Sequence, residues 1–553
     1  MSRSRAPVFQ ASFRSVSSLD DLRPRHTALG IGLLALLYRA YLTTIYWGHE
    51  EEDWGNLQVI QGILGDPFGP TETEHMPLFT WLAALASALT GDPHAGAEAL
   101  AVVCGAATVA VATWIGMRWF SPATGVLAGL FLCFQPESAL YSATPLRESL
   151  YTLTMLGGVA LIGSRRMLGG ATLLSLGFLA RFNIAFSILP ALVLWVGLNW
   201  LPRAEDSAER TSRLRSLVAI GLLTATVVAW ACFYHSIQGT WAFWHGVMDR
   251  NTGNAVTDLF VGERVRASFG AVFGLSCLVL PSHIGWALVP LALLGGVQRA
   301  ASPTKDGHAV TWFTLCGAST LALLLATALL STYEWQHNLY WKWLTPTVPY
   351  FCILGVHGAM VGLRRLLQHP LIGKSLLRTL PVPAIWGIAT ILFASLTLSG
   401  YVTETQRQVR SSTQTYGTQV RVAAWLEDSW PQDSTVLTWT YSIPAAYLQR
   451  TLSHPRILDW HDPDLPSDSP AGLGAWLLRE QVGLVIWYSE EGTGGRNAAA
   501  YLESGEPQQL GPVRLEPLVD ERNYGMIAYV VIGEGIAIPD DRPSPAWFEG
   551  EAE

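Results

Sequence analysis

The chain has 553 residues, of which half are hydrophobic and only 14% are charged, and its formal net charge is −8. A soluble domain carries roughly 25% charged residues, so this composition excludes an ordinary soluble globular protein and indicates a membrane protein. Residues 401–553 hold 22 acidic residues against 10 Arg, and so acidic a tail argues against nucleic acid as a partner.

Eleven apolar runs can be interpreted as membrane spans. They lie near residues 28–46, 97–116, 123–141, 149–163, 167–180, 184–200, 216–234, 271–297, 310–330, 345–362 and 381–400. Arg and Lys are concentrated before the first span and after every second span that follows. Because basic loops stay on the cytoplasmic side, the chain is predicted to have a cytoplasmic N-terminus and an extracytoplasmic tail. The segment 1–27 is polar, so the first span is expected to act as an uncleaved signal anchor.

The end of the first span is followed directly by four acids, Glu50, Glu51, Glu52 and Asp53. Carboxylates at the mouth of a membrane span are costly unless solvent, cations or a substrate compensates them. A solvated acidic loop is the structural alternative. Residues 77–91, further along, are apolar but too short to span comfortably, and we expect them to form a helix in the membrane interface.

The predicted topology places the polar segments of interest on one side of the membrane. The acid cluster, residues 144–149, the turn 181–183 and the loop 331–343 all become extracytoplasmic. Polar loops that converge on one face are what an active site at a membrane surface requires. A transporter would instead concentrate polar groups near the middle of discontinuous helices. Few polar residues lie in the middle of the predicted spans.

The tail is predicted to contain a small α/β domain. An amphipathic helix is expected over 420–431, a second helix over 473–481, and strands over 434–441, 483–490 and 526–533. We therefore divide the chain into a cytoplasmic segment 1–27, a transmembrane catalytic domain 28–400, an extracytoplasmic α/β domain 401–535 and a disordered acidic end 536–553.

Several motifs follow one another in the order found in a known superfamily. They are the acid cluster after the first span, Ile63–Gly65 at a helix end, Met76–Leu78 before an apolar helix, and the segments 136–150, 177–186 and 341–350. In this order they resemble the GT-C glycosyltransferases, in particular the protein mannosyltransferase and lipid A aminoarabinose transferase branch. Two departures are a Glu in place of the usual Asp, and Trp54 one residue from the usual aromatic position.

The resemblance implies an enzyme that moves a sugar from a polyprenyl-phosphate carrier to an acceptor on the extracytoplasmic side. Such a displacement needs a carboxylate base near the acceptor proton. Glu51 is the first candidate for this base, with Glu52 and Asp53 as alternatives, and Glu148 is a second acid that would orient the acceptor or a metal.

The leaving phosphate needs cationic groups to stabilise it. Arg147, Arg181 and Lys342 are the candidates for this role, although the two Arg can also be explained as span ends and Lys342 as an interfacial anchor. The resemblance allows a divalent cation (Mg, Mn or Zn), for which Glu74 and His75 are candidate ligands. A plain loop histidine is the alternative for His75.

The expected partners are a polyprenyl-phosphate sugar donor, a glycan, lipid or protein acceptor, and membrane lipids. Only three Lys are present, and this Arg-rich composition indicates a bacterial protein, so the expected location is the inner membrane. Two other functions fit the sequence: a flippase or transporter of a lipid-linked glycan, and an inactive scaffold for polysaccharide assembly.

Overall fold

The structure of the protein is a computed structural model. It describes residues 23–46, 51–65, 76–200, 207–238, 284–300, 307–330, 345–368, 382–429, 435–438, 456–459, 465–466, 469–488, 502, 505–521 and 526–536.

Helices dominate the first three quarters of the described chain. They are α1 (Pro24–Thr43), α2 (Glu51–Gly65), α3 (Pro77–Thr90), α4 (Pro93–Ile115), α5 (Pro122–Phe134), α6 (Pro136–Leu140), α7 (Glu148–Gly163), α8 (Met167–Ala180), α9 (Asn183–Trp200), α10 (Ser207–Gln238), α11 (Leu288–Ala300), α12 (Gly307–Leu330), α13 (Val348–Gln368) and α14 (Val382–Ser429). A π-helical turn, Gly116–Phe120, continues α4. Many of these helices begin with proline, whose fixed φ suits the first helical position and whose missing N–H costs nothing there.

Among the described residues, five helical segments are long and apolar enough to cross a membrane. They are Pro93–Phe120, Leu214–Ser236, His308–Ala326, Val348–Leu367 and Gly387–Ser412. Shorter apolar helices accompany them, among them Pro77–Thr90 in the segment for which an interfacial helix was predicted. The chain is thus a mostly helical, multi-pass membrane protein, as its apolar runs predicted.

One predicted span is interrupted. The run 123–141 was expected to be a single helix, but α5 ends at Phe134 and α6 begins at Pro136. Gln135 between them is extended, with φ −65° and ψ 123°. The physical reason is that proline disfavours the helical conformation in the residue before it. A buried segment with polar residues, 135–147, begins at this break.

The last helix, α14, continues without a break from Val382 to Ser429. It includes both the final predicted span and most of the amphipathic segment predicted over 420–431. The chain divides into two compact units, one formed by Met1–Thr44 and Ile63–Gln406, the other by Ile45–Gly62 and Arg407–Glu553. The boundary between Gln406 and Arg407 therefore falls inside α14.

The second unit contains a six-stranded mixed sheet. Its strands are β1 (Thr435–Thr438), β2 (Arg456–Asp459), β3 (Val482–Tyr488), β4 (Gln508–Leu510), β5 (Val513–Glu521) and β6 (Met526–Ile532), and helix α15 (Pro470–Arg479) precedes β3. The spatial order is β2-β1-β3-β6-β5-β4. β1 is parallel to β2 and β3, and the remaining pairs are antiparallel.

Both faces of the central strands β3 and β6 are buried. Val485, Trp487 and Tyr529 belong to the core cluster that includes residues of α15, while Leu484 and Ile486, which alternate with them, are equally buried. The sequence of a strand that is buried on both faces is a continuous apolar run and does not alternate between apolar and polar residues. This explains why β3 and β6 could be predicted from their composition.

Glycines bring the backbones of two membrane helices together. A Cβ at Gly358 of α13 would overlap the carbonyl oxygen of Leu291 in α11, and one at Gly295 of α11 would overlap the carbonyl oxygen of Leu354. Small residues at such crossings allow the close van der Waals packing that holds helices together in lipid.

We expect the change Gly358→Ala to destabilise the membrane unit by about 1–3 kcal/mol, because the backbone of α11 must shift. Gly362→Ala on the same helix is the matched control, since the nearest atom to its Cβ is Leu294 Cδ2 at 3.7 Å. The control should be neutral or slightly stabilising, because Ala is favoured over Gly in helices. Thermal unfolding in detergent measures both; equal unfolding midpoints would contradict the packing argument.

Candidate active site

A buried irregular segment connects α5 to α7 in the first unit. Gln135 caps the short helix α6, and its Oε1 accepts a hydrogen bond of 2.7 Å from the backbone N–H of Ser138. Turns follow α6, and α7 begins at Glu148. The residues of this segment are buried except Arg147, which is half-buried. Non-helical backbone at membrane depth is tolerated only where protein buries it or where it lines a cavity.

The structure brings two of the predicted site residues together. Arg181 Nη1 donates to Glu148 Oε1 and forms an ion pair with it across 33 positions of sequence. The Glu148 side chain is fully buried and that of Arg181 is 11% exposed. Glu148 is the first residue of α7 and Arg181 is the C-cap of α8. Each charge therefore has the sign that its helix end favours.

The second carboxylate oxygen of Glu148, Oε2, is buried and has no hydrogen-bond partner. One turn further along α7, the hydroxyl of Thr152 is likewise buried without a partner. A buried polar atom that lacks a partner costs about 1–3 kcal/mol, and more when it is charged. Helix-end electrostatics account for the presence of an acid at this position, but not for an unsatisfied oxygen. That oxygen therefore keeps an unused capacity to accept a hydrogen bond.

A second carboxylate lies in the same segment. Glu137 is fully buried and accepts a hydrogen bond from the side-chain amide of Gln135. Glu137 lies in the motif 136–150, but of the acids in this motif only Glu148 was predicted to have a functional role. The position of Glu137 directly after a proline that breaks an apolar run was the signal that could have identified it.

Arg39 was also missed. It lies one turn before the end of α1, is fully buried, and donates from Nε to Ser142 Oγ at 2.8 Å. An ionisable residue inside an apolar run is a candidate functional residue by default, and this signal was present in the sequence. Arg147, which was predicted as a phosphate ligand, is the N-cap of α7 and directly precedes Glu148.

The acid cluster belongs to the second unit. Glu51, Glu52 and Asp53 form the first turn of α2, and the segment Ile45–Gly62 is part of the unit that contains the sheet. Acids in the first turn complement the positive end of a helix dipole. Later in α2, Asn56, Leu57 and Ile60 are buried on one side of the helix.

The remaining predicted residues, Glu74, His75 and Lys342, lie outside the described residues. Within the described ranges, no group of three or more His, Cys, Asp or Glu side chains is arranged to hold a metal ion. The buried Glu148–Arg181 pair supplies no such group, because it contains a single carboxylate, and one oxygen of that carboxylate accepts a hydrogen bond from Arg181. The predicted cation site therefore stays a prediction.

The fold is similar to that of solved GT-C proteins. ArnT from Cupriavidus metallidurans bound to undecaprenyl phosphate aligns with 13% identity, 93% of this chain and 98% of that chain covered, and a TM-score of 0.59. The apo state of ArnT gives 12% identity, 92% and 98% coverage, and a TM-score of 0.60. The Archaeoglobus fulgidus oligosaccharyltransferase in complex with Zn and sulfate gives 11% identity, 91% and 73% coverage, and a TM-score of 0.51.

The sequence itself matches no family model and no curated protein. At these low identities the structural likeness concerns the fold alone. The chain has the GT-C glycosyltransferase fold, with a C-terminal mixed-sheet domain as in ArnT. The resemblance predicted from the order of the sequence motifs is confirmed at this level.

Removing one partner of the buried pair should destabilise the first unit strongly. We expect Arg181→Met to cost about 3–5 kcal/mol of unfolding free energy, because it leaves the Glu148 carboxylate buried without a cation. The double change Glu148→Leu with Arg181→Met should cost less than Arg181→Met alone.

Glu98→Gln is the matched control for this prediction. Glu98 pairs with His94 at 3.5 Å on α4, where both side chains are partly exposed, and such pairs contribute about 0–1 kcal/mol. Thermal unfolding in detergent provides the comparison. The interpretation of the Glu148–Arg181 pair fails if Arg181→Met unfolds at the same temperature as Glu98→Gln.

Proposed function

We propose that the chain is a glycosyltransferase that moves a sugar from a polyprenyl-phosphate-linked donor to an acceptor on the extracytoplasmic side of the membrane. The observation that carries the proposal is the buried Glu148–Arg181 pair, with one carboxylate oxygen left without a donor. Further support comes from the fold, which resembles that of a protein bound to undecaprenyl phosphate and of an oligosaccharyltransferase.

Arg181 and Arg147 are proposed to hold the phosphate of the lipid carrier. A guanidinium presents its donors in a planar fork that matches phosphate oxygens. The phosphate leaves as a stable anion, so the reaction needs cations near it and no acid to protonate it. One nitrogen of Arg181 donates to Glu148, and this bond fixes the guanidinium beside the carboxylate. Lys342 is proposed as a further phosphate ligand, because it lies in the sequence motif 341–350.

Glu148 is proposed to orient the acceptor. Its buried Oε2 can accept a hydrogen bond from an acceptor hydroxyl, while Arg181 fixes the rest of the carboxylate. The base that removes the acceptor proton is proposed, from the sequence motif, to be Glu51, with Glu52 and Asp53 as alternatives. Glu74 and His75 are proposed to hold a divalent cation, which the transfer step does not require.

We also propose eleven membrane spans, a cytoplasmic N-terminus, a catalytic domain over 28–400, an extracytoplasmic domain over 401–535, and a location in the bacterial inner membrane. The acceptor is a glycan, a lipid or a protein. The strongly acidic charge of residues 401–553 is compatible with exposure to solvent on the outer side.

The proposal is tested with purified protein in nanodiscs and a panel of radiolabelled polyprenyl-phosphate sugars offered with membrane acceptors. The wild type should turn over at least one donor. Glu148→Gln should lower kcat by about 10²-fold, the cost of losing the correct position of the acceptor. Arg181→Lys should weaken donor use, because an ammonium cannot replace the fork. The control Glu98→Gln should behave as the wild type.

The same assay separates the remaining possibilities. Among Glu51→Gln, Glu52→Gln and Asp53→Asn, the base is the one whose loss abolishes transfer, and activity in all three would refute that part of the proposal. Binding of polyprenyl phosphate without turnover of any donor would refute the transferase and favour a flippase or a scaffold. Transfer by Glu148→Gln at the wild-type rate would remove Glu148 from the site.

A further inference from the structure

Arg39 is a charged residue that the proposed chemistry does not use. It lies inside the apolar helix α1 and its side chain has no exposed surface. A guanidinium taken out of water is costly unless its donors are satisfied. Its neighbours in α1 that face outward are apolar, among them Leu37 and Tyr41. Hydrophobic packing alone would favour an aliphatic residue here, so the contacts of Arg39 need an explanation.

All the contacts of Arg39 converge on the segment that carries the buried acids. Besides Nε to Ser142 Oγ at 2.8 Å, its Nη1 donates to the carbonyl of Cys133 at 3.2 Å and its Nη2 to Ser138 Oγ at 3.2 Å. Longer contacts of 3.4 Å join Nη2 to the carbonyls of Leu132 and Ser138. The guanidinium thus joins the end of α5, helix α6 and the turn after it.

Every acceptor of Arg39 is neutral. Among the described residues, no carboxylate lies within 4.0 Å of its guanidinium nitrogens. The carbonyls of Leu132 and Cys133 are in the last turn of α5, where carbonyl groups have no partner within the helix and the dipole favours a cation. The charge is therefore stabilised by the helix end that it caps, and the contacts fix the direction in which the chain leaves α5.

The backbone of α4 closes the arrangement from another side. A Cβ at Gly105 would overlap Ser142 and would lie 2.8 Å from Arg39 Nε. Glycine is therefore required at this position if Arg39 and Ser142 are to meet. Three separate features, a buried arginine in α1, a glycine in α4 and a serine after α6, thus serve a single contact.

We infer that Arg39 is a positioning residue for the transfer reaction: it clamps the segment 132–142, so that Glu137 and, six residues beyond the clamp, Glu148 are held in place. This inference rests on the proposed function. The Glu148–Arg181 pair fixes one end of the irregular segment and Arg39 fixes the other. The fork of Arg is needed, because the acceptors lie on several sides of a planar group and the single ammonium of Lys cannot reach them together.

The test compares Arg39→Lys, Arg39→Ala and Gly105→Ala with the wild type in nanodiscs. Gly30→Ala is the control, because Gly30 is on the same helix and a Cβ there meets no atom within 4 Å. Two quantities are measured: hydrogen–deuterium exchange of residues 136–147, and kcat and KM for the polyprenyl-phosphate sugar donor. Arg39→Ala is measured with and without millimolar guanidinium, and with methylammonium as the chemical control.

The clamp predicts faster exchange of residues 136–147 in Arg39→Lys and Gly105→Ala, with the exchange of α10 and α12 unchanged. It also predicts that kcat falls by about 10²-fold, the cost of a misplacement of about 1 Å, while KM for the donor changes by less than about threefold. Guanidinium should restore protection and part of kcat in Arg39→Ala, and methylammonium should not. Gly30→Ala should match the wild type.

Three outcomes would overturn the inference: wild-type kcat and exchange in Arg39→Lys, faster exchange spread over all the membrane helices, or no response of Arg39→Ala to guanidinium. Failure of the proposed function looks different, because the wild type itself would then transfer no sugar. In that case the exchange measurements decide about the clamp alone. Protection lost in Arg39→Lys and regained by Arg39→Ala with guanidinium supports it, and unchanged protection refutes it.

Discussion

One constraint determines the structure of the first unit. Polar backbone groups and charged side chains that are removed from water must find hydrogen-bond or ionic partners inside the protein. The segment between α5 and α7 leaves the helical conformation while it is buried, and buried or mostly buried charges lie within it and beside it. Arg39 binds its first part and Arg181 binds Glu148 at its end. Because these contacts span 103 and 33 positions of sequence, the packing of α1, α4, α7 and α8 is tied to this segment.

Small residues make these contacts possible. Gly105 admits the Arg39–Ser142 pair, and the glycines of α11 and α13 allow backbone to touch backbone elsewhere in the unit. In a membrane, helices gain little from hydrophobic burial against one another, so close packing and internal hydrogen bonds supply the stability. The same rigidity would favour the proposed transfer reaction, because charges that are fixed before a substrate arrives stabilise a developing charge without having to reorganise.

The location of the buried charges bears on the proposed function. Glu148 begins α7, Arg181 ends α8 and Arg39 lies one turn from the end of α1. These three charges are grouped at helix ends around one irregular segment, which is the arrangement that the proposed reaction site uses. The second carboxylate oxygen of Glu148 is buried and has no hydrogen-bond partner.

Composition and local pattern determined the class of this protein. Apolar runs gave the helices, and the order of short motifs gave the GT-C fold. The continuous apolar strands β3 and β6 were visible, as was β1 from its β-branched residues. β5 was missed because Pro517 and its charged residues disguise an alternating strand with an irregularity at Pro517. Glu148 and Arg181 could be named because charges at the ends of apolar runs are visible in sequence. Their pairing, the break after Phe134 and the role of Arg39 were decided by the tertiary structure. The reason is physical: a run of residues specifies its own helix, whereas which helix ends meet depends on how distant surfaces pack.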